Sequence, residues 1–196
     1  MTINKKNEEI VPFLEGKNIY LIPINKKHLN LYVKWRNNPK VRRLARSMIP
    51  TTKEEIAKFI EKQEAKFKDS IEFEIYHKRD KKPIGDCGFN KIEWVDRRGD
   101  IGLGIGEPKY WNQGIASEAV SLLLKYGFKE LNLNKITANV FSPNIGSWKC
   151  AERVGMKREA KLSKHAYIDG EYVDDYIYSI FKNEWLNQKN KNEIEV

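Results

Sequence analysis

The sequence predicts an α+β fold, with a mixed, mostly antiparallel central sheet flanked by about four helices. Three observations carry this. Ile101, Leu103 and Ile105 alternate with Gly102, Gly104 and Gly106, the period of a strand with branched side chains on one face and bare backbone on the other. After one loop, Ala116, Ala119, Val120, Leu123, Leu124 and Phe128 recur at helical spacing. Near the C-terminus Asp169-Gly170 joins two strand-like stretches as a tight hairpin.

Taken in order, residues before Phe13 are polar and are expected to fray. Residues 18–24 form a first strand, ended near Pro23. Residues 26–37 read as a helix carrying Leu29, Tyr32, Val33 and Trp35-Arg36, stopped by Asn37-Asn38-Pro39. Val41 to Pro50, with Arg42, Arg43 and Arg46, reads as a solvated loop. Thr52 and Glu55 have the spacing of a capping box, and Ile56, Phe59, Ile60, Gln63 and Phe67 continue as an amphipathic helix. Ile71, Phe73 and Ile75 alternate with Glu72, Glu74 and Tyr76, which predicts a strand with one wet face. After a turn at residues 79–82, Pro83 to Lys91 returns as a strand in which Gly85 and Gly88 suggest a bulge. Residues 134–141 are a short strand and residues 145–154 a helix stopped at Gly155. Strands at 158–168 and 172–181 complete the order β-α-α-β-β-β-α-β-α-β-β. The tail from Lys182 is polar except for Trp185 and Leu186, and is expected to be disordered near its end.

With 196 residues, 40% hydrophobic and 32% charged, the chain is expected to be one domain, residues 1–196, with its core at about 17–181. No apolar run approaches the roughly 20 residues that span a bilayer, and MTINKKNEEIVPF holds no apolar signal core, so a cytoplasmic location is expected. Cys87 and Cys150 are too few for a disulfide framework and lie apart from His28, His77 and His165, so no metal is expected. The net charge of +9 admits an acidic partner such as CoA phosphates, a ribosome surface or nucleic acid. It equally admits a lysine-rich solvated surface. Its spread, from Lys5-Lys6 to Lys189 and Lys191, favours the second.

The informative stretch is residues 99–128, GDIGLGIGEPKYWNQGIASEAVSLLLKYGF. A glycine-bearing loop opening a helix presents unpaired N–H groups at the positive end of the helix dipole, which suits phosphate. A dinucleotide fingerprint fails, because Gly102 and Gly104 lie within the strand and Glu107 replaces the third glycine. A P-loop fails as well, since Gly16-Lys17 is followed by Asn18. What remains, Tyr110-Trp111-Asn112-Gln113-Gly114-Ile115-Ala116, resembles the acyl-CoA pyrophosphate loop of the GNAT superfamily of N-acetyltransferases, with Trp111 where Gln or Arg is commonest. It is most similar to the branch of ribosomal-protein N-terminal and spermidine acetyltransferases. Trp35-Arg36-Asn37-Asn38-Pro39 and Asn144-Ile145-Gly146-Ser147 carry the same resemblance, and the order of elements matches the GNAT-like fold.

The resemblance implies acetyl-CoA as co-substrate. Backbone groups of Leu103, Gly104 and Ile105 are expected to meet the pantetheine and acetyl oxygen. Trp111, Asn112, Gln113, Gly114, Ile115, Ala116 and Ser117 are expected around the pyrophosphate. Asn144 is expected on the pantetheine arm, and Ser147 near the sulfur as a catalytic residue. A splay between the glycine strand and residues 134–141 would open the channel. Two positions depart from the family: Ala151 replaces a tyrosine acid, and Ala166 a glutamate before Tyr167. Asp100, or His165 through a water, are candidate bases; Cys150 reads as a buried small hydrophobe. The implied activity is direct acetyl transfer in a ternary complex to a primary amine, first a protein N-terminus. A polyamine or amino-sugar acceptor is the alternative, and Glu54, Glu55, Glu72 and Glu74 are available to a polyamine. A CoA-binding regulatory protein without catalysis is a further alternative, motivated by Ala151 and Ala166. Expected partners are acetyl-CoA and the amine, with a homodimer open, no membrane contact, and nucleic acid only indirectly through a ribosome.

Overall fold

The computed structural model describes residues 10–45, 47–62 and 69–194. Eight strands form one sheet in the order β1-β2-β3-β4-β5-β6-β8-β7: β1 (Leu14–Glu15), β2 (Ile19–Pro23), β3 (Ile71–His77), β4 (Lys82–Glu93), β5 (Arg98–Ile105), β6 (Lys135–Phe141), β7 (Lys157–Ile168) and β8 (Glu171–Phe181). Among the described residues, only β5 and β6 pair in parallel. The described helices are α1 (Leu29–Asn37), α2 (Pro39–Ala45), α3 (Lys53–Lys62), α4 (Ile115–Lys129), α5 (Ile145–Arg153) and α6 (Lys182–Ile194). None is long and apolar enough to cross a membrane. The sheet, the central helix and the Asp169-Gly170 hairpin, both residues at positive φ, follow the sequence pattern.

The two faces are covered separately. On one, the apolar side of α4 packs Ala119, Leu123, Leu124 and Phe128 against Phe73, Ile75, Phe89 and Ile136, and α5 adds Cys150 and Ala151. On the other, Tyr32 and Trp35 of α1 meet Ile56 and Ile60 of α3 in a smaller cluster. That second cover overturns the expected wet face of β3. Glu74 is fully buried and accepts hydrogen bonds from the Tyr32 hydroxyl and the Asn25 N–H, with His28 Nδ1 at 3.0 Å. Alternation reveals that one face is polar; only the returning helices decide that it is dry.

Three further expectations are corrected. Part of the solvated loop is α2, for which Pro39 is the first helical residue rather than a stop, because its fixed φ suits a helix start. Val41 is buried there. The tail forms α6, held by Trp185, which lies in the main core against Phe128. The bulges of β4 fall between Pro83 and Gly85, opposite Ile75/Tyr76 and so beside the first expected glycine, and at Phe89/Lys91 rather than at Gly88. The start of the chain through residue 9, with Lys5-Lys6, lies outside the described residues, as do Arg46, Gln63 and Phe67. The capping box holds: Glu55 N–H donates to Thr52 Oγ1 at 3.2 Å and Thr52 N–H to Glu55 Oε2 at 2.8 Å.

Candidate active site

Pairing between β5 and β6 covers three registers, Arg98 with Lys135, Gly99 with Ile136 and Asp100 with Thr137, and then stops. Both strands run on, β5 to Ile105 and β6 to Phe141, so they diverge and open a rift. From Ile101 onward β5 has no strand partner on that side. Leu103 accordingly is 36% exposed, while its neighbours Ile101 and Ile105 on the same face are buried; alternation places all three on one face and does not separate them. Gly104 lies along this edge with open space: a methyl group there would find only Asp86 Oδ1, at 3.6 Å. The other two glycines of that face are covered. The Asn90 amide lies over Gly102, and a methyl on Gly106 would come 2.2 Å from the Trp35 ring.

Beyond β5 the chain turns through Pro108–Tyr110 into α4. Trp111 closes the turn by donating its indole N–H to Ile105 O at 2.8 Å, so its polar atom is committed to the loop. Asn112 and Gly114 take positive φ of 60° and 79°, which turns the chain so that α4 starts at Ile115 with its leading N–H groups outward. Ile115 is buried, leaving its backbone alone to face a ligand, while Asn112 and Gln113 are exposed. Gln113 donates its amide to Lys109 O at 2.6 Å. Ala116 packs against the main core. The Ser117 hydroxyl meets Cys150 Sγ at 3.5 Å and receives Arg153 Nη1 at 3.4 Å. Arg153 thus adds a cation beside the N-terminus of α4. Its distance in sequence from the loop hid it; only the packing of α5 on α4 brings it there.

Asn144 caps α5, accepting from Ser147 N–H at 3.2 Å, and its amide reaches back to Leu44 O of α2 at 3.3 Å. Ser147 is partly buried in the first turn of α5, on the helix that follows β6 out of the rift. Asp100 lies at the closed end of the rift. Burial raises the proton affinity of its carboxyl, while donors from Asn90 (3.0 Å) and Thr137 (3.3 Å) hold it in part as carboxylate. His165 is exposed on the irregular stretch of β7 between Leu162 and Ala166.

The face of the sheet beneath α1 and α3 is acidic. The register of β3, β4 and β5 puts Glu74 opposite Asp86, Glu72 opposite Gly88, and Asp86 opposite Gly104. Asp86 keeps Arg36 Nη2 at 3.9 Å, and burial pushes its carboxyl up against the opposing effect of that guanidinium. Burial raises Glu72 to about 7, with Asp86 adding to the shift and Arg36 opposing it. Asp175 of β8 shares this face and is buried; its Oδ1 has no partner among the described residues. Of these, the sequence reading had only Glu72 and Glu74, and could not separate them from Glu54 and Glu55. Those two lie in the first turn of α3, where Glu55 serves the cap.

A groove of about 410 Å³ leads to this acidic patch, lined by Arg36, Ile49, Pro50, Ile56 and Phe59. The loop along it is closed by Asn37 and Thr51, which exchange hydrogen bonds of 2.7 and 2.9 Å. Trp35 donates its indole N–H to Glu107 at 3.0 Å and Lys34 reaches the same oxygen at 2.8 Å, fixing α1 to the end of β5. The groove shares Arg36, Ile56 and Phe59 with the small cavity that Asp86 lines, and Asp86 Oδ1 stands 3.6 Å from where a methyl on Gly104 would lie, so rift and groove approach each other from either side of Asp86.

Known proteins resemble this chain in sequence and in fold. The p20 protein of Bacillus licheniformis, named as an uncharacterized N-acetyltransferase, is 38% identical over 113 residues, 58% of this chain and 63% of its own. The chain spans less than two-thirds of the length of the curated relatives it matches first. A crystal structure of a GNAT-family acetyltransferase from Bacillus anthracis superimposes with a TM-score of 0.74 at 27% identity, covering 87% of this chain and 98% of that one. Spermidine N-acetyltransferase from Vibrio cholerae, solved with CoA and spermine, has the same fold at a TM-score of 0.79 and 22% identity, over 87% and 99%. A family model described as an acetyltransferase (GNAT) domain matches residues 18–157, the span that holds the rift, the loop and the carboxylates of β3 and β4, and the chain belongs to that family.

Proposed function

We propose that the protein transfers the acetyl group of acetyl-CoA to a primary amine by direct attack in a ternary complex, and that the amine is a protein N-terminus. The observation that carries this reading is the approach of two channels from either side of Asp86: an apolar-edged rift with a phosphate-suited helix start at one end, and a groove ending in carboxylates. The N–H groups that open α4, with Arg153 beside them, suit the diphosphate. The unpaired edge of β5 suits an extended pantetheine arm, and its backbone donors suit the oxyanion that forms on the acetyl carbonyl. Ser147, near the rift on α5, is the candidate to meet the sulfur. Holding amine and thioester together supplies much of the rate.

The acceptor reading follows from how charge is distributed in the groove. Glu72 and Asp86 line the small inner cavity, Ile49 and Pro50 line the groove outside it, and Ile56 and Phe59 line both. That suits one ammonium followed by a neutral or apolar chain, as at a peptide N-terminus. A polyamine carries several cations at regular intervals and would need carboxylates along the whole groove. Glu55 alone stands at the mouth, engaged with Thr52. The likeness to the Vibrio cholerae enzyme concerns the fold.

The test is thiol release from acetyl-CoA with four acceptors: a peptide with a free N-terminus, the same peptide N-blocked, spermidine and an amino sugar. Release with the free peptide alone is expected. Release with spermidine above the peptide would transfer the assignment to polyamines. Tight CoA-dependent thermal stabilisation with no thiol release from any acceptor would replace the enzyme reading with the CoA-binding regulatory one.

A further inference from the structure

The family's acid and base positions are Ala151 and Ala166 here, and Asp100 already holds a hydrogen bond on each oxygen. Glu72 differs. Its side chain folds over Gly88, where a methyl group would come 2.9 Å from Glu72 Oε2. Gly88 pairs with Gly102 of β5, one strand spacing (about 5 Å) away and two residues beyond the closed end of the rift. No hydrogen bond reaches the Glu72 carboxylate among the described residues. A cavity of about 10 Å³, lined by Tyr32, Arg36, Glu72 and Asp86, adjoins it. That is room for one water molecule.

We propose that Glu72 is the general base of the reaction, receiving the proton of the acceptor ammonium through one water molecule in this cavity, with Asp86 and Arg36 as positioning residues. The inference rests on the acetyl-transfer reading. The ammonium gives one proton by way of the water to the Glu72 carboxylate, leaving a free amine and a carboxylic acid. The nitrogen lone pair then forms the C–N bond at the acetyl carbonyl, and the C–S bond breaks as the carbonyl re-forms. The proton that the nitrogen sheds on forming the amide leaves with the CoA sulfur as thiol. Glu72 returns its proton to solvent through the groove.

The charged and titratable groups around Glu72 come from three elements. Glu74 shares its strand, with its carboxylate turned to Tyr32 and His28. Asp86, from β4, raises its proton affinity, and Arg36, from α1, lowers it. Cys87 lies on β4, with its thiol pushed up by burial and by both carboxylates. α3 presents only Ile56, Phe59 and Ile60 to the cavity. Because the base must be ionised, kcat/KM is expected to fall as pH drops below about 7.

The experiment measures the pH profile of kcat and kcat/KM with the free-N-terminus peptide for the wild type, Glu72→Gln, Glu72→Asp, Asp86→Asn and Asp100→Asn, alongside melting curves with and without CoA. Glu72→Gln is expected to keep its CoA-dependent stabilisation, lose about 100-fold in kcat and lose the limb near pH 7, with part of the rate restored in Glu72→Asp. Asp86→Asn is expected to move that limb to lower pH, a result that stands even if a Glu72 variant fails to fold. A limb that persists in Glu72→Gln, or one that disappears in Asp100→Asn instead, would overturn the assignment while leaving acetyl transfer in place. Absence of thiol release in the wild type would overturn acetyl transfer itself.

Discussion

Gly104 near the end of β5 and Gly106 just beyond it are two residues apart, yet their surroundings call for opposite outcomes on substitution. A methyl at Gly106 would come 2.2 Å from the Trp35 ring, which is held in place by Glu107. Gly106→Ala is therefore expected to cost about 1–3 kcal/mol by overpacking, read as a lowered Tm. At Gly104 the nearest atom is Asp86 Oδ1 at 3.6 Å, an ordinary contact. Gly104→Ala is expected to leave Tm nearly unchanged while lowering kcat/KM about tenfold, since the methyl enters the space between the rift and Asp86. Equal effects of both variants on stability would remove the distinction between a packed glycine and an open one. The three glycines read alike in sequence; what covers each was decided by α1 and by the Asn90 side chain of β4, from distant parts of the chain.

At the scale of elements, helix starts were legible because caps are local. Thr52-Glu55 announces itself within four residues and forms the expected bonds, and Asn144 caps α5 through the Ser147 N–H over the same short span. Asn144 does more than cap, as its amide also holds Leu44 O of α2. Asn144→Ala is expected to destabilise the protein by about 1 kcal/mol through the cap and to loosen α2 against α5. A fall in CoA affinity beyond what the stability change explains, measured by titration calorimetry, would show that the side chain also serves the ligand. An unchanged affinity would make it a cap alone. α2 and α6 escaped the reading because neither has a strong apolar stripe; each is fixed by tertiary burial of essentially one side chain, Val41 and Trp185. Arg43 and Asp169, at 2.5 Å, bring α2 to the hairpin of β7 and β8.

Across the whole molecule, a protein of net charge +9 turns Glu72, Glu74, Asp86, Asp100 and Asp175 to one face of its sheet. This concentration gives its stability two opposing responses to pH. Exposed carboxylates in ion pairs, such as Glu93 with Lys91 and Arg98, Asp174 with Lys161, and Glu159 with Lys135, have lowered proton affinity. Their contribution is present above the unfolded-state pKa and is lost as pH falls through the folded one. Glu72 works the other way. Folding raises it from 4.5 to about 7, so the folded state binds the extra proton, and stability gained from it rises as pH falls from about 7 toward 4.5. At pH 8 the wild type carries Glu72 ionised in a partly buried site. Glu72→Gln is thus expected to melt above the wild type at pH 8, with the advantage shrinking toward pH 5. A constant or reversed difference across that range would show that the carboxylate is not strained by burial. Stability given up at a site that needs a base is a common exchange for activity.

The sequence by itself determined seven of the eight described strands, all but β1, the central helix, the phosphate-suited loop and the branch of proteins it resembles. Alternation, helical spacing, caps and turn residues are short-range properties, written within a few positions of one another. It also indicated that the glycine strand and residues 134–141 would separate, and the three-register pairing of β5 with β6 has that form. Tertiary structure alone decided which carboxylates are dry. Glu54, Glu55, Glu72 and Glu74 are four glutamates of equal standing in the chain, but register and the cover of α1 and α3 bury Glu74 and half-bury Glu72 beside Asp86, and leave the first two on a helix end. It likewise brought Arg153 to the start of α4. A carboxylate's proton affinity depends on solvent and on charges within a few ångströms, and for Glu72 the charges that matter, on Arg36 and Asp86, come from outside its own strand.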